Sequence, residues 1–107
     1  MPTPEAENQD LQPLAEIDRV IHEPARLAVL GLLSAVDSAD FLFVQNQTGL
    51  TGGNLASHMT RLDEVGYVEV TKEFVFRIPL LRATRKGRVA LRQHERSRLR
   101  ALKGLPG

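Results

Sequence analysis

The chain has 107 residues, of which 42 % are apolar and 25 % are charged, and its formal net charge is +1. This length predicts one compact domain with a small core. The sequence contains no cysteine, which excludes disulfides and thiolate metal ligands and is typical of a cytoplasmic protein. The first ten residues lack a basic stretch and an apolar run, so we expect no secretory signal. The longest apolar run, at 27–33, is too short to span a bilayer, so we expect no membrane partner.

The charge is divided unevenly between the two halves of the chain. Residues 1–50 contain eight acids and two bases, whereas residues 51–107 contain five acids and twelve bases. This asymmetry favours a basic surface that meets an anionic partner. The alternatives are that the two halves pair with each other, or that the basic residues form a solvated tail.

The acidic half is predicted to be helical after a disordered tail at 1–10. A first amphipathic helix at 11–21 has Leu14, Ile17 and Ile21 on one side. Pro24 suits the first turn of a second helix, because its missing N–H is not needed there. That helix, at 25–36, is apolar almost all round, so we expect it to be buried as the central core element.

Two further helices are predicted on either side of a tight turn. Residues 40–48 form a short helix that ends at Gly49, and Thr51 can cap a helix over 51–65. Gly66 would end that helix in a left-handed conformation. This spacing is that of a helix-turn-helix unit, in which the second helix reads the DNA major groove.

The outer face of the second helix supports this interpretation. Its apolar stripe consists of Leu55, Met59, Leu62 and Val65. The opposite face carries short polar groups, and His58 lies on the border; these groups are Asn54, Ser57, Thr60, Arg61 and Glu64. Such side chains can donate to and accept from base edges. The alternative is an ordinary solvated helix.

The basic half continues with two strands and a last helix. Strands at 67–72 and 80–83 are predicted to pair as a ribbon whose tip spans 73–79. Thr84 would cap a final helix at 85–102, which has few apolar residues and seven Arg or Lys, with Lys103 directly after it. A helix this poor in apolar residues cannot bury much surface alone, so we expect it to pair with a second subunit.

Short motifs occur in a fixed order along residues 14–91. They are DRVIHEPARL at 18–27, ADF at 39–41, GLT at 49–51, GNL at 53–55, His58, Leu62, EVGYV at 64–68 and TRKGR at 84–88. In this order they resemble small stand-alone winged-helix transcriptional regulators near the ArsR and MarR groups. The resemblance implies a winged helix-turn-helix, mainly α with a small β-ribbon (α+β). It also implies a dimer interface formed by the N- and C-terminal helices.

Some positions depart from the pattern of these regulators. The wing has Phe76 where we expect glycine and Ile78 where we expect a base, and it is about two residues shorter. The recognition helix has Ala56 and Thr60 where relatives often carry a serine and a basic residue. These departures leave Lys72 and Arg77 as the expected phosphate contacts of the wing.

The sequence therefore predicts a homodimeric DNA-binding regulator without a cofactor, a metal or a catalytic site. The three histidines are scattered, and the sequence has no pair at metal-ligand spacing on one helix face. The domain is expected at 11–103, with the helix-turn-helix at 40–66, the wing at 67–83, the last helix at 84–102 and a tail at 104–107. The expected DNA contacts are Thr51, Gly53, Asn54, Ser57, His58, Thr60, Arg61, Lys72 and Arg77. The expected dimer contacts are Leu11, Leu14, Ile17, Ile21, Leu91, Leu99 and Leu102.

A second class of function stays open at this point. A winged helix can keep its fold and bind a protein partner through the wing or the basic tail instead of DNA. Specific binding to duplex DNA that survives moderate salt would separate the two classes.

Overall fold

The structure, a computed structural model, describes residues 19–75 and 78–104, with the backbone alone for 72–75. Residues 19–22 are helical and lead into the first numbered element. The elements then follow as α1 (Pro24–Ser34), β1 (Ala39–Asp40), α2 (Phe41–Thr48), α3 (Gly52–Glu64), β2 (Val68–Val75), β3 (Ile78–Ala83) and α4 (Arg85–Leu102). This mainly helical chain with a small sheet confirms the predicted α+β class. Within the described ranges, no helix combines the length and the hydropathy needed to cross a membrane.

Helix α1 is the centre of the core, as predicted. Its Val29, Leu30 and Leu33 are completely buried, and they belong to one cluster that includes residues of every other numbered helix. Arginine side chains bind the carbonyl groups at the ends of two helical segments. Arg26 Nε donates to Val20 O (2.6 Å), and the guanidinium of Arg88 donates to Ser34 O (2.6 Å) and Val36 O (3.0 Å). These two bases therefore stabilise helix ends.

The sheet is antiparallel and has the strand order β1-β3-β2. Ala39 pairs with Leu81, and Val68 pairs with Ala83. The predicted ribbon was too short, because β2 continues to Val75 and β3 already begins at Ile78. The β-branched and aromatic residues in the predicted tip favour extended backbone, so both strands extend into it, with a register irregularity between Val70 and Phe74.

Within the described residues, helix α4 buries residues only as far as His94, near its middle. Gly87, Ala90, Leu91 and His94 are buried, and no residue from 95 to 104 is. Gly87 lies so close to β2 that an added Cβ would stand 2.1 Å from the carbonyl oxygen of Tyr67. Glycine is therefore required at this crossing for steric reasons.

The predicted dimer contacts divide into three groups. Ile21 and Leu91 are buried in the core of their own chain, so we assign them to the core and not to an interface. Leu99 and Leu102 are 51 % and 81 % exposed. Leu11, Leu14 and Ile17 lie outside the described residues.

Candidate nucleic-acid interface

Helices α2 and α3 and the turn between them form the predicted helix-turn-helix unit. Gly49 has a φ of 72°, and its N–H donates to Gln45 O (2.9 Å), which closes α2. The hydroxyl oxygen of Thr51 accepts from the N–H of Asn54 (3.1 Å), which starts α3. Glycine adopts the left-handed conformation at no steric cost, so these local interactions fix the turn.

The inner face of α3 holds the helix firmly on the core. Leu55, Met59 and Leu62 are buried, and Gly66 follows the helix with a φ of 81°. The side-chain amide of Gln45 on α2 lies 3.7 Å from the position that a Cβ on Gly52 would occupy. The orientation of α3 is therefore set by apolar burial along its length and by α2 at its first turn.

The outer face of α3 exposes small groups that carry no charge. Thr51, Gly53, Asn54, Ser57 and Thr60 are all exposed, as the prediction of a polar outer face requires. The Thr60 hydroxyl donates to Ala56 O (3.0 Å), so its oxygen is left to act as an acceptor. Asn54 and Ser57 offer both donors and acceptors, which is the chemistry needed to read base edges.

Arg61 and Glu64 mark the C-terminal end of this outer face. Arg61 Nη1 lies 3.5 Å from Glu64 Oε2, and both side chains are more than a third exposed. An ion pair this exposed is weak, at about 0.2–1 kcal/mol. The carboxylate of Glu64 therefore holds the guanidinium of Arg61 only weakly.

His58 is directed differently from the other predicted contacts. Its Nδ1 is buried without a hydrogen bond, and it lies 3.5 Å from Oε2 of Glu23 at the start of α1. That carboxylate also accepts from the backbone N–H groups of Ala25 (3.1 Å) and Arg26 (3.0 Å). One edge of the His58 ring therefore faces the protein, and sequence reasoning missed Glu23 as its partner.

The pKa of Glu23 reflects this environment. Burial by itself would raise the pKa. The two backbone N–H groups and the positive charges of His58 and Arg26 outweigh that effect and lower the pKa below its usual value of 4.5. The carboxylate is therefore ionised at neutral pH and acts as a fixed negative charge beside His58.

The predicted phosphate contacts of the wing are Lys72 and Arg77. The backbone of Lys72 lies within β2, and Arg77 falls outside the described residues, so neither predicted phosphate contact is located by its side chain. Arg82 on β3 is half exposed, with its Nε 3.6 Å from Glu69 Oε1 on β2. Sequence reasoning did not select Arg82, although the alternation along β3 indicates an outward position.

The basic residues of α4 do not act as one group. Lys86 Nζ stands 5.8 Å from the centre of the Tyr67 ring, and Arg88 binds the end of α1. The bases beyond the core are exposed, and they are Arg92, Arg96, Arg98, Arg100 and Lys103. The basic half therefore divides its charges between structural roles and a free surface on the second half of α4.

A cleft of about 670 Å³ opens between the start of α1 and the middle of α4. His22 and His94 line it, with ring centres 6.4 Å apart in an edge-to-face arrangement. Among the described residues, no three histidine, aspartate or glutamate side chains are close enough together to hold a metal ion.

Comparison with known proteins agrees with this architecture. The sequence profile of the family described as winged helix DNA-binding domain matches residues 25–102. MJ0432, an uncharacterized protein of Methanocaldococcus jannaschii, is 31 % identical over 78 residues, which make up 71 % of this chain and 85 % of that protein.

Two solved structures show the same fold. A transcriptional regulator homologue from Pyrococcus horikoshii is 27 % identical, with a TM-score of 0.76 over 87 % of this chain and 96 % of that one. The homodimeric winged helix-turn-helix DNA-binding domain of Mb0332 from Mycobacterium bovis, a possible ArsR-family regulator, is 15 % identical. Its TM-score is 0.73 over 98 % of this chain and 95 % of that one. These matches confirm the resemblance to winged-helix regulators that the ordered motifs predicted. The chain belongs to the winged helix DNA-binding domain family.

Proposed function

We propose that this protein is a sequence-specific transcriptional regulator that binds duplex DNA as a homodimer, with α3 in the major groove. The observation that carries the proposal is the outer face of α3, where Asn54 and Ser57 are exposed on the side opposite the buried Leu55, Met59 and Leu62. The protein would then act by binding, without chemistry of its own.

A dimer is supported by the second half of α4. Leu99 and Leu102 are exposed on a segment in which no residue is buried in the described part of its own chain. A twofold dimer presents two recognition helices about one DNA turn apart, so two weak contacts combine into useful affinity. The homodimeric state of the Mycobacterium bovis domain supports the same arrangement.

The test begins with selection of binding sites from a random duplex library. The affinity of the selected duplex is then measured for the native chain, for Asn54→Ala and for Arg61→Ala. If these side chains contact bases, each substitution should weaken specific binding by about 1–3 kcal/mol and relax the sequence preference at one position.

Gln93→Ala is the matched control, because Gln93 is a polar residue exposed on α4. It should leave the affinity unchanged. Equal affinities for the native chain and for a folded Asn54→Ala, Arg61→Ala double variant would show that the polar face is only a solvated surface.

A protein partner is the second candidate, because an apolar surface lies next to the helix-turn-helix. Leu42 and Phe43 on α2 are 50 % and 43 % exposed, and Val70 lines a cavity of about 290 Å³ between α3 and the sheet. This candidate predicts that selection recovers no preferred duplex.

A further inference from the structure

The contact between His58 and Glu23 joins the recognition helix to the start of the core helix. His58 lies on α3, between the buried Leu55 and Leu62, and it is itself partly buried. Glu23 precedes α1 and supplies the cap of that helix. The two side chains therefore connect the element that would meet DNA with the element at the centre of the core.

The geometry leaves one hydrogen-bonding position open on each partner. Each oxygen of Glu23 accepts one backbone N–H, and a carboxylate oxygen has two lone pairs, so Oε2 can accept a second donor. Nδ1 of His58 has essentially no contact with solvent and no hydrogen bond, although it is 3.5 Å from that oxygen. A buried polar nitrogen without a hydrogen bond costs free energy of folding. The acceptor next to Nδ1 is a carboxylate oxygen, so a proton on Nδ1 allows the nitrogen to donate to it.

We infer that His58 is a positioning residue whose Nδ1–H donates to Glu23 and links α3 to α1, and that protonation of the ring strengthens this bond and so makes DNA binding stronger at acid pH. The inference rests on the proposed function. A charge-assisted bond between an imidazolium and a carboxylate is shorter and stronger than a neutral one. The bond should therefore strengthen as the pH falls.

Other ionisable groups lie near the contact between His58 and Glu23, and their effect on the pH dependence has to be separated from that of His58. His22 is next to Glu23 in sequence, Arg26 on α1 interacts with the same carboxylate, and Arg61 lies one turn along α3. The arginines keep their charge between about pH 6 and pH 8. The other histidines near this contact, His22 and His94, line the cleft on the side of α4.

The first measurement is the affinity for a selected duplex from pH 8 to pH 6 at constant ionic strength. The native chain should bind about fivefold more tightly at pH 6 than at pH 8. A change of about fivefold is at the lower end of the changes in affinity that one site causes at another site coupled to it. Glu23→Gln keeps the shape of the cap but removes the charge, and it should reduce this ratio to less than about twofold. His58→Gln should do the same, and His22→Gln, the matched histidine control, should retain the native ratio.

A direct contact between His58 and a DNA phosphate would also strengthen binding at low pH. That contact does not involve Glu23, so Glu23→Gln would then keep the full pH dependence. Such a result would overturn the inference, and so would a native chain whose affinity does not change with pH.

A second measurement works without DNA and separates this inference from the proposed function. In a ¹⁵N–¹H spectrum of the free protein at pH 6, the Nδ1 proton of His58 should be visible because it is buried and bonded. The signal should disappear in Glu23→Gln, which has a weaker acceptor. If the native chain binds no DNA at any pH, the proposed function is contradicted, but the contact between His58 and Glu23 is not. Absence of the Nδ1 signal in the native chain would defeat the pairing itself.

Discussion

Helices α3 and α4 are both amphipathic, but they bury their apolar residues in different ways. Helix α3 buries Leu55, Met59 and Leu62 along its length and exposes small polar groups on the other side. Helix α4 buries residues only as far as His94, and then exposes Leu99 and Leu102 among arginines. The first helix is positioned by its own chain, whereas the second half of α4 beyond His94 buries no residue against the described part of the chain.

This contrast separates the two tasks of the proposed regulator. A helix that reads DNA must be held rigidly and must expose polar side chains on its outer face, which describes α3. A helix that joins two subunits must keep apolar residues exposed in the single chain, which describes the second half of α4. The two helices can therefore be tested separately.

The largest expected effect is on the packed first turn of α4. Gly87→Ala places a Cβ 2.1 Å from Tyr67 O and 2.9 Å from Tyr67 C, which are backbone atoms that cannot move away cheaply. We expect the free energy of unfolding in urea to fall by about 3 kcal/mol.

Gly53→Ala is the matched control in the first turn of α3. No atom lies within 4 Å of the Cβ that it would add. Its stability should stay the same or rise by less than about 1 kcal/mol, because alanine is the better helix former. Equal stabilities for the two alanine variants would contradict the close packing of α4 on Tyr67.

The next effect concerns the exposed second half of α4. Replacing Leu99 and Leu102 together by serine should weaken dimerisation at least about tenfold, which corresponds to about 1.4 kcal/mol, because two apolar side chains leave the interface. Sedimentation equilibrium measures this constant, and the far-ultraviolet circular dichroism of the monomer should remain native.

Ser97→Ala changes an exposed residue in the same segment and serves as the control. A native chain that is monomeric at micromolar concentration would remove the subunit role of α4. Unchanged association of the double variant would assign the interface to other residues.

The smallest effect concerns Glu23, whose carboxylate caps α1 and lies next to His58 on α3. The pKa of Glu23 is lowered in the folded chain, so its contribution to stability is present above about pH 4.5 and is lost as the pH falls through the folded value. Glu23→Gln should therefore lose less stability than the native chain between about pH 5 and pH 3. The difference should be below about 1 kcal/mol, since the side chain is more than a third exposed.

Urea unfolding at each pH measures this difference. Parallel stability curves for Glu23→Gln and the native chain would show that the carboxylate does not stabilise the fold through its charge.

Local interactions made most of the fold predictable from the sequence. Thr51 and Thr84 cap their helices within three residues, and Gly49 and Gly66 close theirs in the left-handed conformation. Because these interactions span a few residues, the sequence alone predicts the two helices and the turn between them. The apolar stripe of α3 likewise predicts which of its faces is exposed.

Long-range contacts explain what the sequence did not predict. Arg88 binds carbonyl groups more than fifty positions earlier, so its structural role leaves no local pattern. His58 lies on the border of the stripe, where periodicity cannot decide whether its ring faces solvent or Glu23. Ile21 and Leu91 fit an interface by their helical spacing, but the tertiary packing places both in the core.

The central claim is that two copies of α3 occupy the major groove of one duplex. Dimethyl sulfate footprinting on a selected duplex tests it directly, because the reagent modifies guanine N7 in the major groove. We expect two protected patches whose centres are about 10 base pairs apart, and protection that is lost with Asn54→Ala, Arg61→Ala. A single patch, or bound DNA without protection in the major groove, would contradict the claim.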